Sequence, residues 1–183
     1  MKKVLIPLAQ GCEELEAVTI MDLLTRAGVN VVSAGLDEKP VKCSRNTVII
    51  PDTTIDKIIN DSFDLIVLPG GLPGADHLRD DDRIIKLIQN QTAHNKPVAA
   101  ICAAPKVLAK AGLLENKKAT SFPNVLSALN LTNTTITNAA IETDGNIITS
   151  RGPGTAMDFS LHLIRQLLGD DDAEKVAKQL VRD

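Results

Sequence analysis

Four segments place chemistry-bearing side chains directly after apolar runs. In Ala100-Ile101-Cys102-Ala103-Ala104-Pro105 an apolar run from Pro97 to Ile101 passes into a helical pattern at a cysteine with small residues two positions to either side. A sharp strand-to-helix turn crowds the backbone and demands small neighbours there, which is the nucleophile-elbow pattern. A helix opening at Cys102 favours the anion and lowers the thiol pKa, making the sulfur a nucleophile, although Cys also serves as a small buried hydrophobe. In Gly11-Cys12-Glu13-Glu14-Leu15-Glu16 three carboxylates follow the first apolar run. Glu13 and Glu14 suit a first helical turn, where acidic groups complement the macrodipole. Glu16 adjoins Ala17-Val18 on a helix that must pack on a sheet, and a buried carboxyl there has a raised pKa and exchanges a proton with a nearby thiol.

Pro69-Gly70-Gly71-Leu72-Pro73-Gly74 lacks the Lys-Ser/Thr of a Walker loop and the spacing of a dinucleotide fingerprint. Its paired glycines suit either an ordinary tight turn or one whose N–H groups face a developing oxyanion. Ser150-Arg151-Gly152-Pro153-Gly154-Thr155 closes a later run, and Arg151 there either binds an anion or pairs at the surface. Of the three histidines, His94 reads as a solvated helix end and His162 as a satisfied helix side chain, while His77 stays a weak site candidate because it follows the glycine-rich loop. The three cysteines, 12, 43 and 102, are odd in number, widely spaced and without a CxxC pair, so neither a disulfide framework nor a zinc site is suggested.

To bring these segments together the chain needs strands that end beside one another. Continuous apolar or β-rich runs at 3–8, 29–34, 47–50, 63–68 and 97–101 predict strands, with an antiparallel excursion around the Gly35–Pro40 turn region. Helical spacing predicts helices from Glu13 to Ala27, closed by Gly28, at about 82–93, and from Cys102 through Leu108 to near Gly112. The last third adds β-rich segments at 134–140 and 146–150 around an Asp144-Gly145 turn, then helices at about 154–168 and 171–181. Alternating strands and helices, several strands lacking period-2 polarity, predict an open α/β sheet, mostly parallel and covered on both faces. Ligands bind such sheets beyond the carboxyl ends of the strands, where all four segments lie.

The 183 residues, 44% hydrophobic and 23% charged, suit one domain spanning 1–183. A net charge of −3 without a basic run argues against nucleic-acid or acidic-membrane partners, and 2% aromatic residues argue against base-stacking platforms. No apolar stretch reaches the roughly 18 residues of a membrane span, and the N-terminus does not read as a signal peptide, so the expected location is cytoplasmic.

Glu-Glu-Leu-Glu-Ala at 13–17, Cys43-Ser44-Arg45, Leu68-Pro69-Gly70-Gly71, the segment from Ala99 to Pro105 and that from Thr149 to Thr155 together resemble the ThiJ/PfpI superfamily. The resemblance is to the subfamily of the parkinsonism-associated protein deglycase and the bacterial YajL chaperone, and it covers nearly the whole chain in order. It implies a flavodoxin-like sandwich and a homodimer without cofactor or metal; the 13–27 helix is expected at or near the contact, its stripe of Ile20, Leu23 and Leu24 being covered either by the partner or by the sheet. By motif position Cys102 is the reactive cysteine, Glu16 the carboxyl beside it, and Gly71 and Ala103 the N–H donors, with Arg45 and Arg151 as anion or substrate contacts.

The activity implied is a glyoxalase or deglycase, a hydrolase or lyase acting on a small dicarbonyl or a glycated substrate in carbonyl and oxidative stress defence. The alternative is a redox-responsive chaperone or stress sensor acting through oxidation of Cys102. One departure bears on this: many relatives carry His in the segment that here reads Thr120-Ser121-Phe122-Pro123, so Phe122 stands where a catalytic partner is proposed. Ala103 after the cysteine disfavours a peptidase, and the lack of a Gly-x-Cys-x-Gly elbow disfavours an amidotransferase. Among the cysteines, Cys102 is expected to oxidise most readily, although Lys42 and Arg45 flank Cys43 and local charge favours its anion too.

Overall fold

Side chains alternate across a strand, so an apolar run flanked by helices feeds two cores at once. In the computed structural model, which describes residues 1–182, strand β1 (Lys3–Leu8) sends Val4, Ile6 and Leu8 to one face and Leu5 to the other. Helix α1 (Glu14–Arg26) returns over the first face and buries Ala17, Ile20, Leu23 and Leu24. Strand β2 (Asn30–Gly35) then pairs parallel to β1, Lys3 opposite Asn30 through Leu8 opposite Gly35.

The antiparallel excursion lies later than the sequence predicts. β3 (Val41–Lys42) pairs antiparallel with β4 (Val48–Ile49) around a turn at 43–47, so 47–50 does not return on the 29–34 strand. Instead β5 (Thr53–Thr54) adds to the free edge of β2 in parallel and leads into α2 (Ile55–Ile58). β6 (Leu65–Leu68) follows, then α3 (Gly74–Asp80), a helix that the glycines and prolines around it conceal in the sequence, and α4 (Asp82–Ala93). β7 (Val98–Ile101) leads to α5 (Pro105–Lys110), which begins three residues after Cys102 and not at it.

Beyond α5, β8 (Lys118–Ala119) and β9 (Thr135–Ile136) make a short parallel pair, so the strand expected over 134–140 shrinks to two residues. β10 (Ile141–Asp144) and β11 (Ile147–Ser150) form the hairpin around Asp144-Gly145. A 3₁₀ turn at Pro153–Thr155 enters α6 (Ala156–Leu168), and α7 (Asp170–Gln179) follows. The main sheet runs β10-β11-β7-β6-β1-β2-β5, with only the edge strand β10 antiparallel.

α1, α6 and α7 cover one face, where Phe159, Leu163 and Val176 pack with Val4 and Ile6; α2 to α5 cover the other, where Ile58, Ile88 and Leu108 pack with Leu5 and Ile66. This is the expected flavodoxin-like sandwich. The strand order reverses around β1 and β6, so the loops leaving β1, β6, β7 and β11 converge at one end of the sheet.

Candidate active site

The loop that leaves β7 turns at Cys102 itself. Cys102 has φ +63°, in the left-handed region, and it is fixed on both sides: its N–H donates to Ser150 O at 2.9 Å and its C=O accepts from the Phe122 N–H at 2.8 Å. The Ala104 N–H returns to Ile101 O at 2.9 Å. A non-glycine residue at positive φ costs on the order of 1 kcal/mol or more and persists only where its surroundings over-determine it. The surroundings here are β11 and the 120–123 segment.

Gly70 makes the elbow possible from the neighbouring strand. A Cβ there would lie 2.7 Å from both Cys102 Cβ and Glu16 Oε2, so only glycine lets the thiol and the carboxyl close on each other. Gly71 has φ +90°, and a Cβ on it would collide with Glu13 N and the Cys12 backbone. The β6 loop thus lies flat against the β1 loop, and the Glu13 N–H donates to Gly70 O at 2.9 Å.

Glu16 is fully buried on α1, facing the sheet. Its Oε2 accepts the Gly70 N–H at 2.8 Å, while Oε1 is a buried polar atom with no partner among the described residues. Burial pushes this carboxyl up to about 7, against the pull of the Gly70 N–H and of Cys102. Burial, and after it the adjacent Glu16 carboxyl, push the Cys102 thiol up to about 12, while the N–H groups of Gly71 and Ala103 act on the sulfur in the opposite sense. Thiol and carboxyl are coupled, so protons leave the pair and not either group alone.

The lowered thiol pKa expected from a helix opening at Cys102 is therefore overturned. α5 starts at Pro105 and is six residues long, and desolvation with a like charge beside it outweighs the local N–H groups.

Cys102 opens into a cavity of about 230 Å³ whose wall includes Glu13, Ser44, Arg45, Gly71, Ala103 and Phe122. Phe122 is about half exposed and lies against Gly152. The structure thus brings Cys102, Glu16, Gly71, Ala103 and Arg45 together. Arg151 is not among them: its Nη1 donates to Asn138 O at 2.9 Å, and it lines a neighbouring cleft beyond Phe122 and Pro153.

A larger cavity of about 330 Å³, lined in part by Leu36, Val41 and His77, contains no thiol. His77 belongs there and not beside Cys102; its Nδ1 donates to Gln10 O. His94 caps the end of α4, and His162 meets Thr143 Oγ1 at 2.9 Å, both consistent with structural roles.

Two contributions were not legible in the sequence. Glu14, read there as a helix-terminus charge, accepts the N–H groups of Arg45 at 3.0 Å and Thr47 at 3.2 Å and so holds the β3–β4 hairpin. Despite partial burial, those bonds and one from its own backbone keep its carboxyl at about 2. Ser44, some thirty residues away in sequence, donates its hydroxyl to Glu13 Oε2 at 2.8 Å.

A parallel sheet covered on both faces, with a cysteine at positive φ after a central strand and a buried carboxyl behind it, defines a flavodoxin-like protein of the cysteine-elbow class. The sequence profile of the DJ-1/PfpI family matches residues 2–166, and the chain belongs to that family. It is 41% identical over 181 residues to Protein dj-1beta of Drosophila melanogaster, spanning 98% of this chain and 97% of the relative. It is 32% identical over 177 residues to the glutathione-independent glyoxalase DJR-1.2 of Caenorhabditis elegans, spanning 97% and 94%. The crystal structure of Drosophila melanogaster DJ-1beta superposes with a TM-score of 0.95 at 41% identity, over 100% of this chain and 98% of that one. The family includes a glyoxalase.

Proposed function

We propose that the protein is a cofactor-independent glyoxalase of the deglycase type, acting on methylglyoxal or on early glycation adducts of the same carbonyl. The observation that carries this is the Cys102 sulfur at the mouth of a cavity, with Gly71 and Ala103 N–H groups on it and the Glu16 carboxyl behind it. Cys102 gives its proton to Glu16 and adds to the aldehyde carbon, forming a C–S bond and a hemithioacetal. Glu16 then carries a proton from that carbon to the adjacent carbonyl carbon through an enediol. The first carbon is oxidised and the second reduced, so no external redox partner is needed. Water cleaves the resulting thioester, releasing lactate and restoring the thiol. The two N–H groups steady the oxyanion at each addition.

The test is lactate formation from methylglyoxal in buffer free of Tris and added thiols, comparing the reduced wild-type protein with Cys102→Ser. Turnover confined to the wild type supports the reading; equal rates, or none in either, overturn it. A second reading is favoured by Phe122, which leaves the cavity without a histidine, and by the unpartnered Glu16 Oε1. A protonated Oε1 suits a hydrogen bond to a Cys102 sulfinate, as a redox-responsive chaperone or sensor requires. Suppression of aggregation by peroxide-treated but not by reduced protein supports that alternative.

We also propose a homodimer. The stripe of Ile20, Leu23 and Leu24 is covered by this chain's own core and offers a partner nothing. Among the exposed apolar side chains, Leu15 and Val18 on α1 and Val48 and Ile50 at the hairpin lie on two elements that the Glu14 carboxylate ties together. Unpaired apolar groups so placed suit a self-complementary contact.

A further inference from the structure

Cys12 and Cys43 lie 31 residues apart in sequence, yet their sulfurs meet at 3.5 Å in the buried core. Two backbone hydrogen bonds bracket them. The Gly11 N–H donates to Lys42 O at 2.8 Å and the Ser44 N–H donates to Cys12 O at 2.8 Å. Adjacent backbones hydrogen-bonded in this way run about 5 Å apart, within the Cα separation that a disulfide spans. Neither thiol takes part in the chemistry assigned to Cys102. We propose that Cys12 and Cys43 are a reversible dithiol site, closed by hydrogen peroxide to an intramolecular disulfide that pins the cavity-wall hairpin carrying Ser44 and Arg45 onto the loop carrying Glu13.

The geometry orders the steps. Cys43 is slightly exposed and Cys12 is not exposed at all. Cys43 Sγ also donates to Val41 O at 3.9 Å, which leaves its sulfur to accept from the Cys12 thiol at 3.5 Å; burial raises both thiols, and their contact raises Cys12 while lowering Cys43. The Lys42 and Arg45 side chains do not reverse this: Glu13 and Glu14 add to the upward shift of Cys43, contrary to the reading of two flanking cations in the sequence. Cys43 attacks the peroxide, an S–O bond forms as the O–O bond breaks, and one water leaves with the thiol proton. Cys12 then attacks the sulfenyl sulfur; the S–S bond forms, the S–O bond breaks, and the hydroxide leaves with the Cys12 proton as a second water. Two thiols lose two electrons and two protons, and one peroxide becomes two waters. The sulfurs need only close from 3.5 Å to about 2 Å.

The whole chain carrying Cys102→Ser is reduced and then treated with stoichiometric hydrogen peroxide. Remaining thiols are alkylated, and the peptides are analysed by mass. The expected product is a linked Cys12–Cys43 peptide pair lacking two hydrogens, separable by dithiothreitol, with slower amide exchange at Ser44 and Thr47 in the oxidised protein. Recovery of both cysteines as alkylated thiols, or as separate oxygen adducts, overturns the proposal. The wild-type protein gives the same linked pair beside an independently read Cys102 peptide, so a poorly folding Cys102→Ser variant does not decide the matter. Cys12→Ala must abolish the link and leave Cys43 with an oxygen adduct; a link persisting through Cys43 to another site also overturns it. No activity enters the readout, so failure here and failure of the glyoxalase reading are separate results.

Discussion

Glu16 Oε2 accepts the Gly70 N–H at 2.8 Å while Oε1 of the same carboxyl has no partner. One oxygen is thereby fixed in place and the other is left to hold or release a proton next to Cys102. Glu16→Gln preserves the acceptor for Gly70 and removes the titration. We expect it to fold and to lose about 10²-fold or more in methylglyoxal turnover, read as lactate formation.

The same carboxyl imposes a pH dependence on stability. Its folded pKa of about 7 exceeds the ordinary 4.5, so the native state binds the extra proton between those values. Stability contributed by neutral Glu16 is complete below about 4.5 and is lost as pH rises through about 7, by on the order of 3 kcal/mol. His162, lowered by burial, opposes this in part, so the informative quantity is the difference between wild type and Glu16→Gln. Urea denaturation across pH 4.5–8 should show the wild type losing stability relative to the variant; parallel curves would show that Glu16 is not buried neutral.

Gly70→Ala places a methyl 2.7 Å from both Cys102 Cβ and Glu16 Oε2. That methyl also lies 2.9 Å from Ile101 O, and the Gly70 N–H and C=O are both bonded, to Glu16 Oε2 and the Glu13 N–H, so the expected cost is about 2–3 kcal/mol, seen as a lower thermal midpoint. Cys102 alkylation in the folded variant should change as well, because carboxyl and sulfur are forced apart.

Glu14 holds the hairpin through the Arg45 and Thr47 N–H groups, and its carboxyl sits at about 2. Being depressed, it contributes stability that is present above about 4.5 and lost as pH falls toward 2. Glu14→Ala should cost about 1 kcal/mol and accelerate amide exchange at 45 and 47, leaving the core strands unchanged. Uniform acceleration throughout the chain would contradict a local clamp.

Replacing Leu15 and Val18 by Lys and Asp puts charge on the exposed apolar face of α1 while leaving its buried face intact. Sedimentation at micromolar concentration should show dimeric wild type and monomeric double variant. A monomeric wild type would remove the homodimer.

Much of this arrangement is legible in the sequence because its cause is local. Cys102 and its small neighbours announce the elbow, and the continuous apolar runs announce strands buried on both faces. What the sequence conceals depends on pairs far apart. The Cys12–Cys43 contact, the Glu14 clamp and the Ser44–Glu13 bond each join residues about thirty apart through the hairpin at 41–49, whose strands are too short for periodicity to register. The thiol pKa is concealed for a related reason. Helix position is a local property, but burial of Cys102 in the assembled fold is not, and it dominates, with the Glu16 charge after it.

Glu16, Gly70 and Cys102 follow three neighbouring strands, β1, β6 and β7, and are separated by 54 and 32 positions along the chain. Nothing holds them together until those strands are in register, so a partly assembled chain presents Cys102 as an ordinary solvated thiol. Such a thiol, ionising near 8.5, is alkylated faster at neutral pH than one buried beside a carboxyl. The rate at which an alkylating reagent labels Cys102 is therefore an internal clock for opening of the central strands, readable in dilute denaturant.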